Sequence, residues 1–204
     1  MFDKDGLIAN NPNPHSPLQI ITSLIKPGTT VLDVGCNTGV LGKLVGSQAT
    51  FDGIDINSKA LKRAKPYYRQ LLKLDLSINT KIPLKQKYDY IVFADILEHL
   101  PRPDLMLQTV RPLLKPNGLI IASIPNIARL EIRLQLLFGK FNYVPAGILN
   151  QDHLRFFTQK SARNLFKHSG YDIIKAIPTG LGHQLKILPN LLAFQFIYIA
   201  RASQ

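Results

Sequence analysis

The sequence predicts an α/β fold with a mostly parallel sheet of seven strands and helices on both faces. Two observations predict it. Short β-branched runs alternate with helical stretches, the pattern of parallel strands that need long crossovers and burial on both sides. A glycine-rich turn also follows the first strand and leads straight into a helix, a ligand-binding arrangement in such folds. The 204 residues, 46% hydrophobic, suffice for one core and are few for two, so a single domain over 1–204 is expected.

Thr30-Val31-Leu32-Asp33-Val34 reads as the first strand, Thr50 to Asp55 as the second, Gln70 to Leu74 as a short third and Tyr88 to Phe93 as the fourth. Gly118 to Ile124 reads as the fifth, entered through Lys115-Pro116-Asn117-Gly118 as a turn. Tyr171 to Ile177 and Ala193 to Ala200 complete the set. Helices are expected over Leu18 to Ile25, Gly39 to Val45, Ser58 to Ala64, Asp104 to Leu114 and Ser161 to Ser169, the last ended by Gly170. The segment from Pro125 to Phe157 breaks the alternation. Its apolar stretch Ile127 to Phe138, interspersed with Arg129, Glu131 and Arg133, and the Gly/Pro-rich loop to Asn150 read as an insertion over the open end of the sheet, a lid for a second ligand.

Composition narrows the function classes. Cys36 is the single cysteine, so neither an intramolecular disulfide nor a multi-thiolate metal site is possible. The first residues lack the order of a secretory signal, and no apolar run approaches the ~20 residues needed to span a bilayer, so a cytoplasmic protein is expected. Twenty-five Lys and Arg against 13 Asp and Glu give a formal charge of +12, which would attract nucleic acid, anionic lipid or an acidic substrate. The basic residues are scattered, and the densest group, Lys59, Lys62, Arg63, Lys65, Arg69 and Lys73, includes the outer face of a helix, the ordinary pattern of a solvated surface.

The chemistry concentrates in Val31-Leu32-Asp33-Val34-Gly35-Cys36-Asn37-Thr38-Gly39-Val40-Leu41-Gly42. A dinucleotide fingerprint would place its second glycine at Asn37, which weakens that reading. Asp33, two residues before Gly35, suits a cationic amino-acid group better than a pyrophosphate. Asp55 ends the second strand, where a carboxylate can accept both hydroxyl protons of a ribose. Asp33, Asp55, Asp75, Asp95 and Glu98 all fall at or near the carboxyl ends of predicted strands, the edge where open α/β sheets bind ligands.

At these residues the chain resembles the class I S-adenosylmethionine-dependent methyltransferases, with Asn37 a departure from the family's usual glycine. Ala94-Asp95-Ile96-Leu97-Glu98-His99-Leu100-Pro101, Leu114-Lys115-Pro116-Asn117-Gly118-Leu119-Ile120 and Asp152-His153-Leu154-Arg155-Phe156-Phe157-Thr158 resemble the ubiquinone-type and glycan-type subgroup. The resemblance covers roughly residues 15 to 200. It implies a Rossmann-like, doubly wound sheet with an antiparallel last strand and S-adenosylmethionine as cofactor. The cofactor residues implied are Asp33, Gly35, Cys36, Asn37, Gly39, Asp55 on the ribose, Ile56 and Leu76 against the base, Asp75 beside its amino group, and Asp95.

The cofactor's sulfonium already makes its methyl electrophilic, so the protein's task is alignment and, for a hydroxyl acceptor, a base. His153, leaving the lid, is the first candidate and His99 the second. His15, His168 and His183 are read as structural. Asp95, Glu98, His99 and His153 also form a possible divalent-metal set, the first three spaced to share one helix face, and small-RNA 2′-O-methyltransferases resemble this arrangement. The expected reaction is O-methylation of a small or medium-sized acceptor, a glycan or lipid-linked hydroxyl ahead of a quinone-like phenol. Peripheral membrane contact would suit the lid. The alternatives are a metal-dependent RNA 2′-O-methyltransferase, a catalytically silent cofactor-binding or interaction module and, more distantly, a nicotinamide-dependent oxidoreductase.

Overall fold

A computed structural model describes residues 16–79, 81–185 and 187–203. His15 lies outside the described residues, as does the side chain of His183. One seven-stranded sheet carries the chain, with strands β1 (Thr30–Val34), β2 (Thr50–Asp55), β3 (Gln70–Lys73), β4 (Tyr88–Ala94), β5 (Leu114–Pro125), β6 (Tyr171–Pro178) and β7 (Gln195–Ala202) in the order β3-β2-β1-β4-β5-β7-β6. β1 to β5 pair in parallel, and β7 runs antiparallel between β5 and β6.

Alternation along β1 sorts the two faces. Leu32 and Val34 join one core with Met106, Leu107 and Val110 of α4 (Pro103–Val110) and Ala162 and Phe166 of α6 (Gln159–His168). Val31 joins the other, beneath Ile20 and Ile21 of α1 (Pro17–Leu24), Leu41 and Val45 of α2 (Val40–Val45), and Leu61 and Ala64 of α3 (Ser58–Ala64). Asp33 shares the parity of Val31 and so enters this second layer as a buried carboxylate.

Capping fits the chain to these elements. Ser16, Asn57 and Thr158 each accept from backbone N–H groups at the start of α1, α3 and α6, and Thr158 and Ser161 form a reciprocal capping box. β5 begins earlier than its sequence predicts: Tyr88 pairs with Leu114 and Tyr90 with Leu119, so the Lys115–Gly118 run bulges within the strand instead of preceding it.

Between β5 and α6 the chain leaves the sheet. Asn126 clamps the exit, its side-chain amide donating to the Asn190 and Ala193 carbonyls, and Ile127 N–H donates to the Phe157 carbonyl where the excursion returns. Inside it, α5 (Leu130–Leu137) buries Ile132 against Ile148 and Leu149, while Leu134, Leu136, Leu137 and Phe138 stay exposed. No helix among the described residues is long and apolar enough to cross a membrane.

Candidate active site

The glycine loop owes its shape to backbone strain and to close packing. Gly35 has φ +81°, and a Cβ there would lie 2.7 Å from the Ile96 side chain. Asn37 is also left-handed, at φ +46°, a conformation asparagine tolerates better than most residues, which accounts for its standing where glycine is usual. Gly35 and Cys36 donate their N–H groups to the Ile54 carbonyl, and Gly39 opens α2. The Cys36 thiol is buried and pushed up by burial and by the nearby Asp33 and Asp55, which suits a packing residue and not a nucleophile.

Asp55 ties this loop to β2. Its Oδ2 accepts from Asn37 N–H and its Oδ1 from Asn57 N–H, both at 2.8 Å. The carboxylate is therefore fixed in direction at the carboxyl end of β2, and Ile56 stands 57% exposed immediately beyond it. Asp75 is turned inward on its own loop: its Oδ1 accepts from both the N–H and the hydroxyl of Ser77, and these bonds hold its pKa below the usual carboxylate value. Leu76 is half-buried against the core that contains α4.

A second polar group gathers where β4 ends. Leu97–His99 is a single 3₁₀ turn, and Asp95 precedes it at φ +54°, so the expected helical face shared by Asp95, Glu98 and His99 does not form. Oδ1 of Asp95 instead accepts from the Ser123 hydroxyl on β5 and the Gln195 amide on β7, at 2.7 and 2.8 Å. Glu98, His99 and His153 do converge, each with a ligand-type atom within 4.8 Å of the others'. The segment that returns from the excursion after β5 is zipped onto the turn: Leu154 and Arg155 donate their N–H groups to the Glu98 carbonyl.

Both imidazoles are oriented in the same way. Nδ1 of His99 donates to the Asp152 carbonyl at 2.9 Å and Nδ1 of His153 to the Ile148 carbonyl at 3.0 Å. A carbonyl only accepts, so the neutral rings carry hydrogen on Nδ1 and a lone pair on Nε2. The rings meet edge to face, 4.7 Å between centroids. Glu98 is 1% exposed, and neither carboxyl oxygen has a hydrogen-bond partner among the described residues. Burial and the neighbouring Asp95 push its pKa well up, and burial pushes that of His153 down. The 3.9 Å approach of His153 Nε2 to Glu98 Oε1 is therefore a contact of two groups driven toward neutrality and not a strong ion pair.

Three further residues that no sequence motif singles out join these groups: Ser123 and Gln195 on Asp95, and Tyr68, whose hydroxyl donates to Asp33 at 2.6 Å. Residues 12–176 match the family described as a methyltransferase domain. The chain belongs to this methyltransferase family. Among curated relatives, a ubiquinone biosynthesis O-methyltransferase of Haemophilus ducreyi is 33% identical over 109 residues, 48% of this chain and 46% of the relative. Its counterpart in Nitrosospira multiformis is 28% identical over 161 residues, 74% of this chain and 65% of the relative. The chain spans about half the length of the first of these and under two thirds of the second. A solved S-adenosylmethionine-dependent methyltransferase from Clostridium acetobutylicum superposes with a TM-score of 0.66 at 14% identity, covering 91% of this chain and 87% of that one. Magnesium protoporphyrin IX methyltransferase from Synechocystis with bound S-adenosylhomocysteine gives 0.65 at 19%, covering 93% and 83%. At these identities the structures attest the fold of the chain.

Proposed function

We propose that the methyltransferase transfers the methyl group of S-adenosylmethionine to a hydroxyl oxygen of an acceptor held beneath the 125–157 lid. One observation carries this reading: the carboxyl edge of a single sheet presents the glycine loop with Asp33 and Asp55 on one side and the Glu98, His99 and His153 cluster on the other. Asp55 is set to receive the ribose hydroxyls, Asp33 the methionyl ammonium, and Ile56 the adenine face. In the transfer, the acceptor oxygen attacks the methyl carbon, the sulfur–carbon bond breaks, and S-adenosylhomocysteine leaves as a neutral thioether. The hydroxyl proton goes to Nε2 of His153, whose lowered pKa keeps it unprotonated and ready to accept.

The cluster also fits a divalent cation. Two imidazoles presenting Nε2, each held by a backbone carbonyl through Nδ1, and a buried carboxylate without partners form a donor set of the kind metals take, and a cation would relieve the orphaned Glu98 oxygens. Glu98, His99 and His153 would hold it, with Asp95 kept on Ser123 and Gln195, and the Nε2 lone pair of His153 would then belong to the cation, so the cation would take the place of that imidazole base and not act beside it. When bound, it would supply Lewis acidity that lowers the pKa of the acceptor hydroxyl.

A phenol ionises near pH ~10 and needs modest help, whereas a saccharide hydroxyl is a much weaker acid. Two imidazoles and a carboxylate support the harder case, so a glycan hydroxyl stands ahead of a quinone-like phenol. The relatives' names favour the phenol. Exposed Leu134, Leu137, Phe138 and Tyr143 on a lid that also carries Arg133 and Lys140 support a lipid-linked form of either.

The test is transfer of isotope-labelled methyl from S-adenosylmethionine to separate pools of saccharides, catechol-like phenols and RNA, before and after chelation with metal add-back. Labelled methyl ether in the saccharide pool supports the reading. Transfer only to RNA favours the 2′-hydroxyl alternative, and cofactor binding without transfer to any pool favours a silent module. Activity that survives complete metal removal rejects the cation.

A further inference from the structure

Tyr68 is 8% exposed and lies outside every motif that marks the site, yet its hydroxyl joins two of them. It donates to Oδ2 of Asp33 at 2.6 Å and accepts from the N–H of Gly42, in the first turn of α2, at 3.3 Å. Three glycines, Gly39 and Gly42 at the start of α2 and Gly53 in β2, clear a seat for its ring, Gly53 also making room for Cys36 and Leu71. A Cβ at Gly39, Gly42 or Gly53 would lie 2.8, 2.7 or 2.9 Å from a Tyr68 ring carbon. Gly42 sits in a helix and Gly53 in a strand, where glycine weakens the element, and neither has the positive φ that would otherwise require it. A phenylalanine would fill the same seat, edge to face with Phe51, so packing does not explain the hydroxyl. Among the described residues nothing donates to the other oxygen of Asp33, Oδ1.

We propose that Tyr68 is a positioning residue for the cofactor: its hydroxyl holds one oxygen of Asp33 against the glycine loop and so presents the other, ionised, to the methionyl ammonium. The proposal rests on the reading that Asp33 meets that ammonium. The groups facing Asp33 are Tyr68, Asp55 on β2 and Cys36 in the loop. Burial lifts the Asp33 carboxyl to about 7, the Tyr68 hydrogen bond opposes that rise, and Asp55 adds to it. Cys36 and Tyr68 are themselves pushed upward, so both stay neutral and Tyr68 keeps its hydrogen to donate. Without the hydroxyl, Asp33 would hold its proton to higher pH and the ammonium would meet a neutral acid.

The experiment is calorimetric titration of wild type, Tyr68→Phe and Asp33→Asn with S-adenosylhomocysteine and with 5′-methylthioadenosine, which keeps the adenosine and lacks the amino-acid arm, from about pH 6 to about pH 8.5. Tyr68→Phe is expected to bind S-adenosylhomocysteine about tenfold more weakly at pH 7, the value of a hydrogen bond to a charged group. Its affinity should recover at higher pH than in wild type, with 5′-methylthioadenosine bound as in wild type. Equal loss of both ligands would make Tyr68 a merely structural residue, and loss of neither would remove it from cofactor binding. Undiminished S-adenosylhomocysteine binding by Asp33→Asn would instead overturn the reading of Asp33 itself, whereas a weakened Asp33→Asn beside an unaffected Tyr68→Phe overturns the proposal alone. If Tyr68→Phe does not fold, Gly42→Ala, which displaces the ring, gives the same pair of readouts.

Discussion

The sheet edge treats the carboxylates of Asp33 and Asp55 at one end and that of Glu98 at the other in opposite ways. On the β1–β2 side, Asp55 receives two backbone N–H groups and Asp33 a tyrosine hydroxyl, so each acid is aimed by the protein itself. On the β4 side, Glu98 is buried beside two oriented imidazoles with no donor to either oxygen among the described residues. The first half resembles a socket whose wiring is complete, which suits a ligand of fixed shape that every turnover shares. The second stores an unfavourable arrangement, and such strain is found where a charge or a proton must later be handled.

If that contrast is right, damage to the acceptor half should alter rate and leave cofactor affinity alone. His153→Ala should lower kcat by roughly 10²–10⁴-fold, the usual contribution of a general base, while S-adenosylhomocysteine binds within about twofold of wild type. Single-turnover kinetics and calorimetry on one preparation separate the two quantities. A variant that lost affinity and kept its rate would reverse the assignment of the halves.

The cofactor half should fail the other way. Asp55→Ala removes both the acceptor of Asn37 N–H and the carboxylate proposed for the ribose, and should weaken S-adenosylhomocysteine about 100-fold, as two lost charge-assisted hydrogen bonds imply. Much of the rate should return at saturating cofactor. A fall in kcat that excess cofactor does not relieve would show that Asp55 also serves the transfer.

The same division separates what the sequence disclosed from what it hid. Strand alternation, the loop glycines and the acids at strand ends are local signals, and they located the sheet, Asp55 and the Glu98-His99 pair. The convergence of His153 with that pair depends on Leu154 and Arg155 donating to the Glu98 carbonyl, a contact across more than fifty residues of chain. Asp95 was misplaced on a helical face because i, i+3, i+4 spacing carries no information about a left-handed residue at its start. Asp75, by contrast, was readable: an aspartate two residues before a serine is an ordinary local turn, and Ser77 takes its carboxylate. Tyr68 had no signal of its own. Its signal lay in Gly42 and Gly53, glycines inside a helix and a strand without a backbone reason.

Stability offers a sharper measure of the contrast. Glu98→Met removes a buried carboxyl without hydrogen-bond partners among the described residues and fills a similar volume, so it should stabilise the metal-free fold by about 2 kcal/mol while removing any part of transfer that depends on the cation. Chemical denaturation at constant pH is the measurement. A destabilised variant would mean that Glu98 is satisfied in solution and that the two halves differ less than their hydrogen bonds suggest.

Asp33→Asn should show its gain only with a characteristic pH dependence. The folded carboxyl titrates at about 7, whereas an unfolded aspartate does so near ~3.9. Between those values the native state binds more protons than the unfolded chain, so wild-type stability falls as pH rises through this window and levels off above it. Asparagine has no such titration and can still accept from Tyr68. The variant should therefore match wild type near pH ~4 and exceed it at pH 8 by up to about 4 kcal/mol, the full linkage of a carboxyl that titrates at about 7 in the folded chain and near ~3.9 in the unfolded one, read as a rise in Tm that grows across the window. Wild-type and variant curves that run parallel across the window would mean that Asp33 is ionised throughout. Its carboxylate would then be as fully prepared as that of Asp55, with Tyr68 and solvent together offsetting its burial.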